Sequence, residues 1–280
     1  MVKLSAIQLC SVPNVEENLK AITKQLSLLC DANIKQENEH IVVLPECCLF
    51  FGGKDSEQLT LAKQTQQSNQ LVKALAQLAQ QFGITLVAGT IPLLSSRGDK
   101  FTNASCVFSP QGELIGQYNK IHLFDVNVND NEKNYLESKY TQAGTSVENV
   151  KCGPVNIGLS VCYDVRFAQL YRQLSVQGAT IIVVPSAFTR VTGKAHWQAL
   201  LQARAIENQV YIVAAAQEGV HLNGRETWGH SMIISPWGEI LACKPTGEGF
   251  ISSEYRQEEI NQVRAAIPVH EHNKFTVELN

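Results

Sequence analysis

Apolar positions along this chain follow two rhythms, and the alternation between them sets the expected architecture. Short, nearly continuous apolar runs at 3–9, 40–44, 84–91, 155–161, 179–184 and 210–216 read as strands, most of them buried on both faces. Between them, apolar residues recur every three or four positions. Asn14-Val15-Glu16-Glu17 has the form of a capping box, which predicts a helix to about residue 33. Further helices are expected over 65–82, 167–177, 195–207 and 256–265.

Two hairpins break the pattern. Strands at about 102–108 and 112–119 meet at Ser109-Pro110-Gln111-Gly112-Glu113, and another pair flanks Ser235-Pro236-Trp237-Gly238-Glu239. In each, proline supplies a fixed φ and glycine a positive one. The echo predicts two sheets of similar build. Helices between strands, together with antiparallel hairpins, predict an α/β fold of mixed sheets covered by helices. No Gly/Ser/Pro-rich linker divides the chain, so residues 1–280 are expected to form one domain. The most polar stretch, Asp125 to Tyr140, reads as an active-site loop within it.

Composition narrows the function classes. With 280 residues, 44% of them hydrophobic, the chain can bury a large core. A net charge of −3 gives no basic footprint for nucleic acid. No apolar run approaches the roughly 18 residues that span a bilayer, and Met1-Val2-Lys3-Leu4-Ser5 runs into a strand pattern without a signal-peptide core. The expectation is a cytoplasmic protein without a membrane partner. Eight cysteines are scattered through the chain, with no Cys-x-x-Cys pair and no zinc-site spacing, so thiols rather than disulfides or a metal are expected. His270-Glu271-His272 comes nearest to a ligand set and reads as solvated surface.

Three strand-like runs each end on one reactive residue: Glu46 after Leu44-Pro45, Lys120 after Tyr118-Asn119, and Cys162 after Ser160-Val161. If these strands share a sheet edge, a base, a cation and a thiol converge on an activated nucleophile. Cys162, followed by Tyr163-Asp164 and a helix, fits a nucleophile at a turn whose N–H groups lower its pKa and face an oxyanion. Taken one at a time, Cys162 is as well explained as a buried structural thiol, Lys120 as a surface cation and Glu46 as half of a salt bridge. Glu137 lies in the polar loop, where a solvated carboxylate is the ordinary expectation. His122 and His196 leave a Cys-His dyad open.

Seven ordered segments carry a family resemblance. They are Leu44-Pro45-Glu46, Asn119 to Asp125, Cys162 to Phe167 and Pro185 to Phe188, then Gly193 to Trp197, Arg204 to Asn208, and Trp228 to Met232. On these the chain resembles the nitrilase superfamily of carbon–nitrogen hydrolases, and Cys162-Tyr163-Asp164-Val165-Arg166-Phe167 looks like its amidase branch. The resemblance implies a four-layer αββα sandwich, a Glu46-Lys120-Cys162 triad, and Glu137 as a supporting glutamate. It also implies a thioester intermediate, no cofactor, and a homodimer or larger homo-oligomer. The implied reaction takes a small carboxylated amide to carboxylate and ammonia. Deaminated glutathione is the first substrate expected, with 2-oxoglutaramate or another small amide or carbamoyl compound as the alternative. A scaffold without activity is the non-enzyme alternative, which retention of all three triad residues opposes.

A carboxylated substrate needs local cations, for which Arg166, Arg190 and Arg225 are candidates. Tyr163, through its backbone N–H, and His196, Trp197 and Trp228 complete the expected binding residues. Two departures from the family pattern stand out: Ala168-Gln169 after the nucleophile segment, and Cys47-Cys48 after Glu46.

Overall fold

Alternate residues on the first strands belong to different cores. Leu4, Ala6, Ile41, Val43, Val87 and Val107 pack between two sheets. Their neighbours Ile7, Val42, Leu86, Cys106 and Phe108 pack outward against helices. A period of two with both faces apolar is what a strand inside a layered sandwich requires.

The computed structural model describes residues 2–31, 39–128, 130, 134–276 and 279. In chain order the strands are β1 (Val2–Gln8), β2 (Glu39–Val43), β3 (Thr85–Val87), β4 (Ile91–Leu94), β5 (Phe101–Phe108), β6 (Leu114–Asn119), β7 (Asp125–Asn127) and β8 (Asn134–Leu136). They continue with β9 (Asn149–Cys152), β10 (Val155–Leu159), β11 (Ile181–Val183), β12 (Tyr211–Ala214), β13 (Glu218–Val220), β14 (Glu226–Trp228), β15 (Ser231–Ile234), β16 (Ile240–Lys244) and β17 (Gly249–Tyr255). The helices are α1 (Val15–Asp31), α2 (Asp55–Thr65), α3 (Gln70–Phe82), α4 (Ala168–Val176), α5 (Arg190–Thr192), α6 (Gln198–Asn208), α7 (Gln257–Ala266) and α8 (Val269–His272).

One sheet runs β17-β1-β2-β3-β5-β4 with β6 added beside β5, and the other runs β16-β15-β12-β11-β10-β9. Each contains three parallel strands followed by an antiparallel hairpin: β1-β2-β3 then β5-β6, and β10-β11-β12 then β15-β16. The echo read from the two Ser-Pro-x-Gly-Glu segments is thus a repeat of sheet topology. The turns agree in detail. Ser109 Oγ accepts from the N–H of Gln111 and of Glu113, and Ser235 Oγ accepts from Trp237 and Glu239 in the same way. Each hairpin also carries a register shift one residue before its turn segment. Helices α1 and α3 cover the outer face of the first sheet, and α4 and α6 cover the second, giving the αββα order.

Several elements differ from expectation. The helix expected over 65–82 begins only at Gln70 as α3, because Asn69 before it adopts a left-handed conformation (φ 51°). Helix α2 was hidden because it buries only Ala62 and therefore has no apolar stripe to read. The strand expected over 84–91 is cut at Gly89 (φ 50°), where an added Cβ would lie 1.9 Å from the Pro45 carbonyl oxygen. That close approach is possible only for glycine. Strands β7, β8, β9, β13, β14 and β17 have no counterpart in the sequence reading, and β7 and β8 pair with each other within the stretch read as a polar loop. The end of the first helix, expected at about residue 33, falls outside the described residues. His270 is half-buried rather than solvated, 3.3 Å from the Ser175 hydroxyl and from the Asn208 carbonyl. No helix among the described residues is long and apolar enough to cross a membrane.

Candidate active site

The topology delivers three side chains to one edge. β6 runs antiparallel to β5, which runs antiparallel to β3, so β6 shares the direction of β2. Glu46 and Lys120 therefore leave the first sheet at the same end, and Cys162 follows parallel strand β10 in the facing sheet. The carboxyl ends of parallel strands are where open α/β sheets place their sites.

Glu46, Lys120 and Cys162 are 4%, 2% and 7% exposed. Burying charges at that depth is costly unless each is paired, and here each is. Glu46 Oε1 accepts from Lys120 Nζ at 2.9 Å and from Asn103 Nδ2 at 3.0 Å, while Oε2 accepts from the Ala187 N–H at 2.9 Å. Lys120 Nζ also donates to Glu137 Oε2 at 2.8 Å. That oxygen takes the Phe124 N–H at 2.7 Å, and Asn103 Nδ2 lies 3.4 Å from Glu137 Oε1. Burial alone would lower the Lys120 pKa, but Glu137 and Glu46, with a smaller contribution from Cys162, hold it well above the usual lysine value. Burial pushes the Glu137 carboxyl up against the opposing pull of Lys120.

The thiol behaves differently from the sequence expectation of a lowered pKa. Burial and the negative Glu46 nearby push Cys162 well above the ordinary cysteine value, and Lys120 offsets only part of this. The nucleophile candidate thus rests as a thiol beside a carboxylate. Cys162 holds φ 49°, an uncommon conformation for a non-glycine residue, and its own N–H is spent on the Pro185 carbonyl at 2.9 Å. The Tyr163 N–H lies in the first turn of the short helix Cys162–Arg166, where no carbonyl of that helix can reach it.

Asp164 ties the two strand ends together. Its Oδ2 accepts from the Tyr118 hydroxyl and the Val161 N–H, both at 2.8 Å, and Oδ1 accepts from His122 Nδ1 at 2.7 Å. His122, stacked on Phe167 with centroids 3.7 Å apart, is thereby committed to Asp164. His196 is exposed, 3.3 Å from Arg166 Nη1. Neither histidine is placed as the partner of Cys162.

The three residues open into a cavity of about 790 Å³, including its mouth. Among the described residues its lining includes Glu137, Tyr163 and Arg225, but not Arg166, His196, Trp197 or Trp228. Trp197 is fully buried one layer back, its ring 4.8 Å from Phe188 and its indole N–H donated to the His230 carbonyl at 2.9 Å. Trp228 stacks on His230 and covers Gly193, where an added Cβ would lie 2.3 Å from its side chain. Arg166 lies over the ring of Phe188, 5.1 Å from its centroid, and Arg190 pairs with Glu226 at 3.1 Å on the surface. Large aromatics bury most area in the core, so the tryptophans support the walls instead of forming them.

Sequence reasoning missed Asn103, the amide that bridges both glutamates, because it sits mid-strand with no motif around it. It also missed the wall formed by Phe51, Gln58, Phe101, Phe124 and Tyr135. Cys47 lines the cavity at φ 55° and accepts a 3.8 Å contact from Gln58 Nε2, while Cys48 is buried beneath it and donates to the Ala88 carbonyl. Only burial of a neighbouring apolar strand could have flagged these positions. In the other departure, Ala168 begins α4 directly, and its Gln169 is exposed.

Comparison with known proteins places this geometry. The chain is 42% identical over 274 residues to a Synechocystis protein named deaminated glutathione amidase, covering 97% of each. It is 33% identical to omega-amidase NIT2 of Xenopus tropicalis, covering 99% of this chain and 97% of that one. Its structure resembles the C. elegans NitFhit protein with a TM-score of 0.88 at 33% identity, covering 99% of this chain and 67% of that one. Saccharomyces cerevisiae Nit3, a member of the nitrilase superfamily, gives a TM-score of 0.82 at 28% identity over 98% and 97%. Residues 3–265 match the family described as carbon-nitrogen hydrolase, and with a buried carboxylate, ammonium and thiol converging at the strand ends, the chain belongs to that family.

Proposed function

We propose that this protein is a cysteine-dependent amidase in which Cys162 is the nucleophile, Glu46 the general base and acid, and Lys120 the electrostatic stabiliser. The observation that carries the reading is the convergence of all three, buried, on one cavity, with Lys120 Nζ 2.9 Å from Glu46 Oε1.

Glu46 accepts the Cys162 proton as sulfur attacks the amide carbonyl carbon. Because the thiol pKa is raised, ionisation is coupled to attack and the thiolate does not accumulate at rest. An ammonium has three donors. Two of those on Lys120 bond Glu46 and Glu137, so the third and the Tyr163 N–H remain for the tetrahedral oxyanion. Glu46 then protonates the departing nitrogen and a thioester remains. The same carboxylate takes a proton from water, hydroxide adds to the thioester, and collapse returns the proton to sulfur. Glu137 positions Lys120. Pairing of two copies through helices near the nucleophile, and a cytoplasmic setting, belong to the same reading.

The relatives' names favour deaminated glutathione as substrate. This amends one expectation from sequence: glutathione contains no primary amide, so its deaminated form releases an amine, and ammonia is the product only from 2-oxoglutaramate. The 2-oxo acid end is common to both. Purified protein is therefore expected to release 2-oxoglutarate from each, faster from deaminated glutathione. Faster release from 2-oxoglutaramate would keep the chemistry and exchange the substrates; release from neither would remove this reading.

Asn103 offers a check on the positioning of both glutamates. Asn103→Leu removes a donor to two carboxylates, worth about 1.5–3 kcal/mol, so kcat/KM should fall about 10- to 100-fold. The acid limb of the rate profile should move to higher pH, because Glu137, whose carboxyl burial already pushes up, loses a donor to its ionised form. An unchanged limb with a reduced rate would leave Asn103 a packing residue only.

A further inference from the structure

Two of the fully buried glutamines, Gln8 and Gln217, tie one sheet to the other. Gln8, at the end of β1, accepts the Ser231 N–H (3.0 Å) and hydroxyl (2.9 Å) and donates to the Gly247 carbonyl at 2.9 Å. Gln217, between β12 and β13, sends its side chain to the strand ends of the first sheet. Its Oε1 accepts the Ser11 N–H at 2.9 Å. Its Nε2 donates to Ser11 Oγ at 2.8 Å and to the backbone carbonyl of Glu46 at 2.9 Å.

The backbone of Gln217 acts on the other end of Glu46. Its N–H donates to the Ser186 carbonyl at 2.8 Å, and the Ser186 N–H donates to the Ala215 carbonyl at 2.8 Å. The Ser186 carbonyl and the Ala187 N–H belong to one planar peptide group, so fixing one orients the other. That Ala187 N–H is the donor to Glu46 Oε2 at 2.9 Å. Hydrogen bonds in series through a peptide polarise one another, which strengthens the hold on the carboxylate. The Gly229 N–H donates to the Gln217 carbonyl at 3.1 Å, so every polar group of Gln217 has a partner.

Glu46 is thus held at its carbonyl by the side chain of Gln217, and at its carboxylate through the peptide that Gln217 anchors. A carboxylate that moves protons in both halves of a reaction must keep one orientation throughout. Gln217 itself is not among the residues that line the cavity.

We infer that Gln217 is a positioning residue for Glu46, setting the orientation of the general base without touching substrate. The inference rests on the amidase reading and goes beyond it by naming what aligns the base.

The test measures 2-oxoglutarate release and urea unfolding for wild type, Gln217→Met, Gln217→Glu and the matched control Gln8→Met. Gln217→Met is expected to lower kcat about 10- to 100-fold with KM within about twofold, because alignment of the base acts on the reaction and not on binding. Gln8→Met removes a comparable set of buried bonds, so it should lower the urea midpoint to a similar extent yet keep kcat within about threefold. In Gln217→Glu one oxygen can keep the Ser11 N–H, while the other meets the Glu46 carbonyl and bonds it only when protonated. Burial raises such a carboxyl, so the kcat of this variant divided by that of wild type should be higher near about pH 6 than near about pH 8. Titration of the neighbouring Glu46, Glu218 and His221 is shared by both proteins, so the ratio isolates the introduced carboxyl. Because Gln217→Glu preserves shape, it carries the test if Gln217→Met does not fold. Wild-type kcat in Gln217→Met, an equal loss of rate in Gln8→Met, or a ratio independent of pH would overturn the assignment and leave the amidase reading in place. A wild type that releases 2-oxoglutarate from neither substrate named above would overturn both.

Discussion

Cys162→Ala is expected to lower kcat/KM by at least about 10⁴-fold while leaving the fold in place. The size follows from covalent catalysis: without sulfur there is no thioester, and what remains is amide binding near Lys120 and the Tyr163 N–H. The fold should survive because the substitution removes one buried atom, and alanine meets the same φ of 49° that cysteine already tolerates. The Cys162 N–H to Pro185 bond and the Asp164 network do not involve the thiol. Steady-state rates and urea unfolding on the same preparation check both halves. Full activity in a correctly folded variant would falsify the mechanism.

Lys120→Met is expected to cost stability as well as rate. It leaves Glu46 and Glu137 buried without the ammonium between them, and breaking a buried pair by deleting one partner costs about 3–5 kcal/mol. The rate should fall about 10²- to 10³-fold from loss of an oxyanion donor. The pH dependence should also change, with a sign fixed by which groups bind protons on folding. In the wild type, burial lowers the Lys120 pKa, but Glu137 and Glu46 raise it further, to well above 10.5. That contribution is fully present below 10.5 and is lost only as pH rises through the folded value. In the variant this cation is absent, and Glu137, already raised above 4.5 by burial, carries the dependence. A raised carboxyl favours folding below 4.5 and loses that contribution as pH climbs through its folded value. The deficit in urea midpoint relative to wild type should therefore be smaller near about pH 5 than near about pH 8. A deficit that is constant with pH would show that Glu137 does not carry the uncompensated charge.

Both predictions concern residues that could be named from sequence, and the reason lies in where they sit. Glu46 and Cys162 each follow an apolar, largely buried strand, where a charged or reactive residue is conspicuous, whereas Lys120 follows the mostly exposed β6 and stood out through its place in the family resemblance. The sheet repeat was legible for a similar reason. Turn chemistry is local, so Ser-Pro-x-Gly-Glu predicts the same hairpin wherever it occurs, and the two Ser109 and Ser235 turns form matching bonds.

What was illegible depended on distant partners. Helix α2 buries one alanine and gives no periodic signal. The break at Gly89 is imposed by the Pro45 carbonyl of a neighbouring segment, not by anything near Gly89 in sequence. Among the arginines and aromatics, residue type alone favoured Trp197, Trp228 and Arg166 as much as Arg225. Packing decided between them, since the indoles found more area to cover in the core and Arg166 came to rest behind Phe188.

The sequence by itself determined most of the core strands and both Ser-Pro-x-Gly-Glu hairpins, because these rest on local periodicity and turn chemistry, and through the family resemblance it pointed to Glu46, Lys120 and Cys162 as the candidate site. Only the tertiary structure decided that burial beside Glu46 pushes the Cys162 thiol up, that Asn103 bridges the two glutamates, and that Arg225 faces the cavity. Those outcomes depend on burial and on contacts between segments dozens to hundreds of residues apart, which no local pattern encodes.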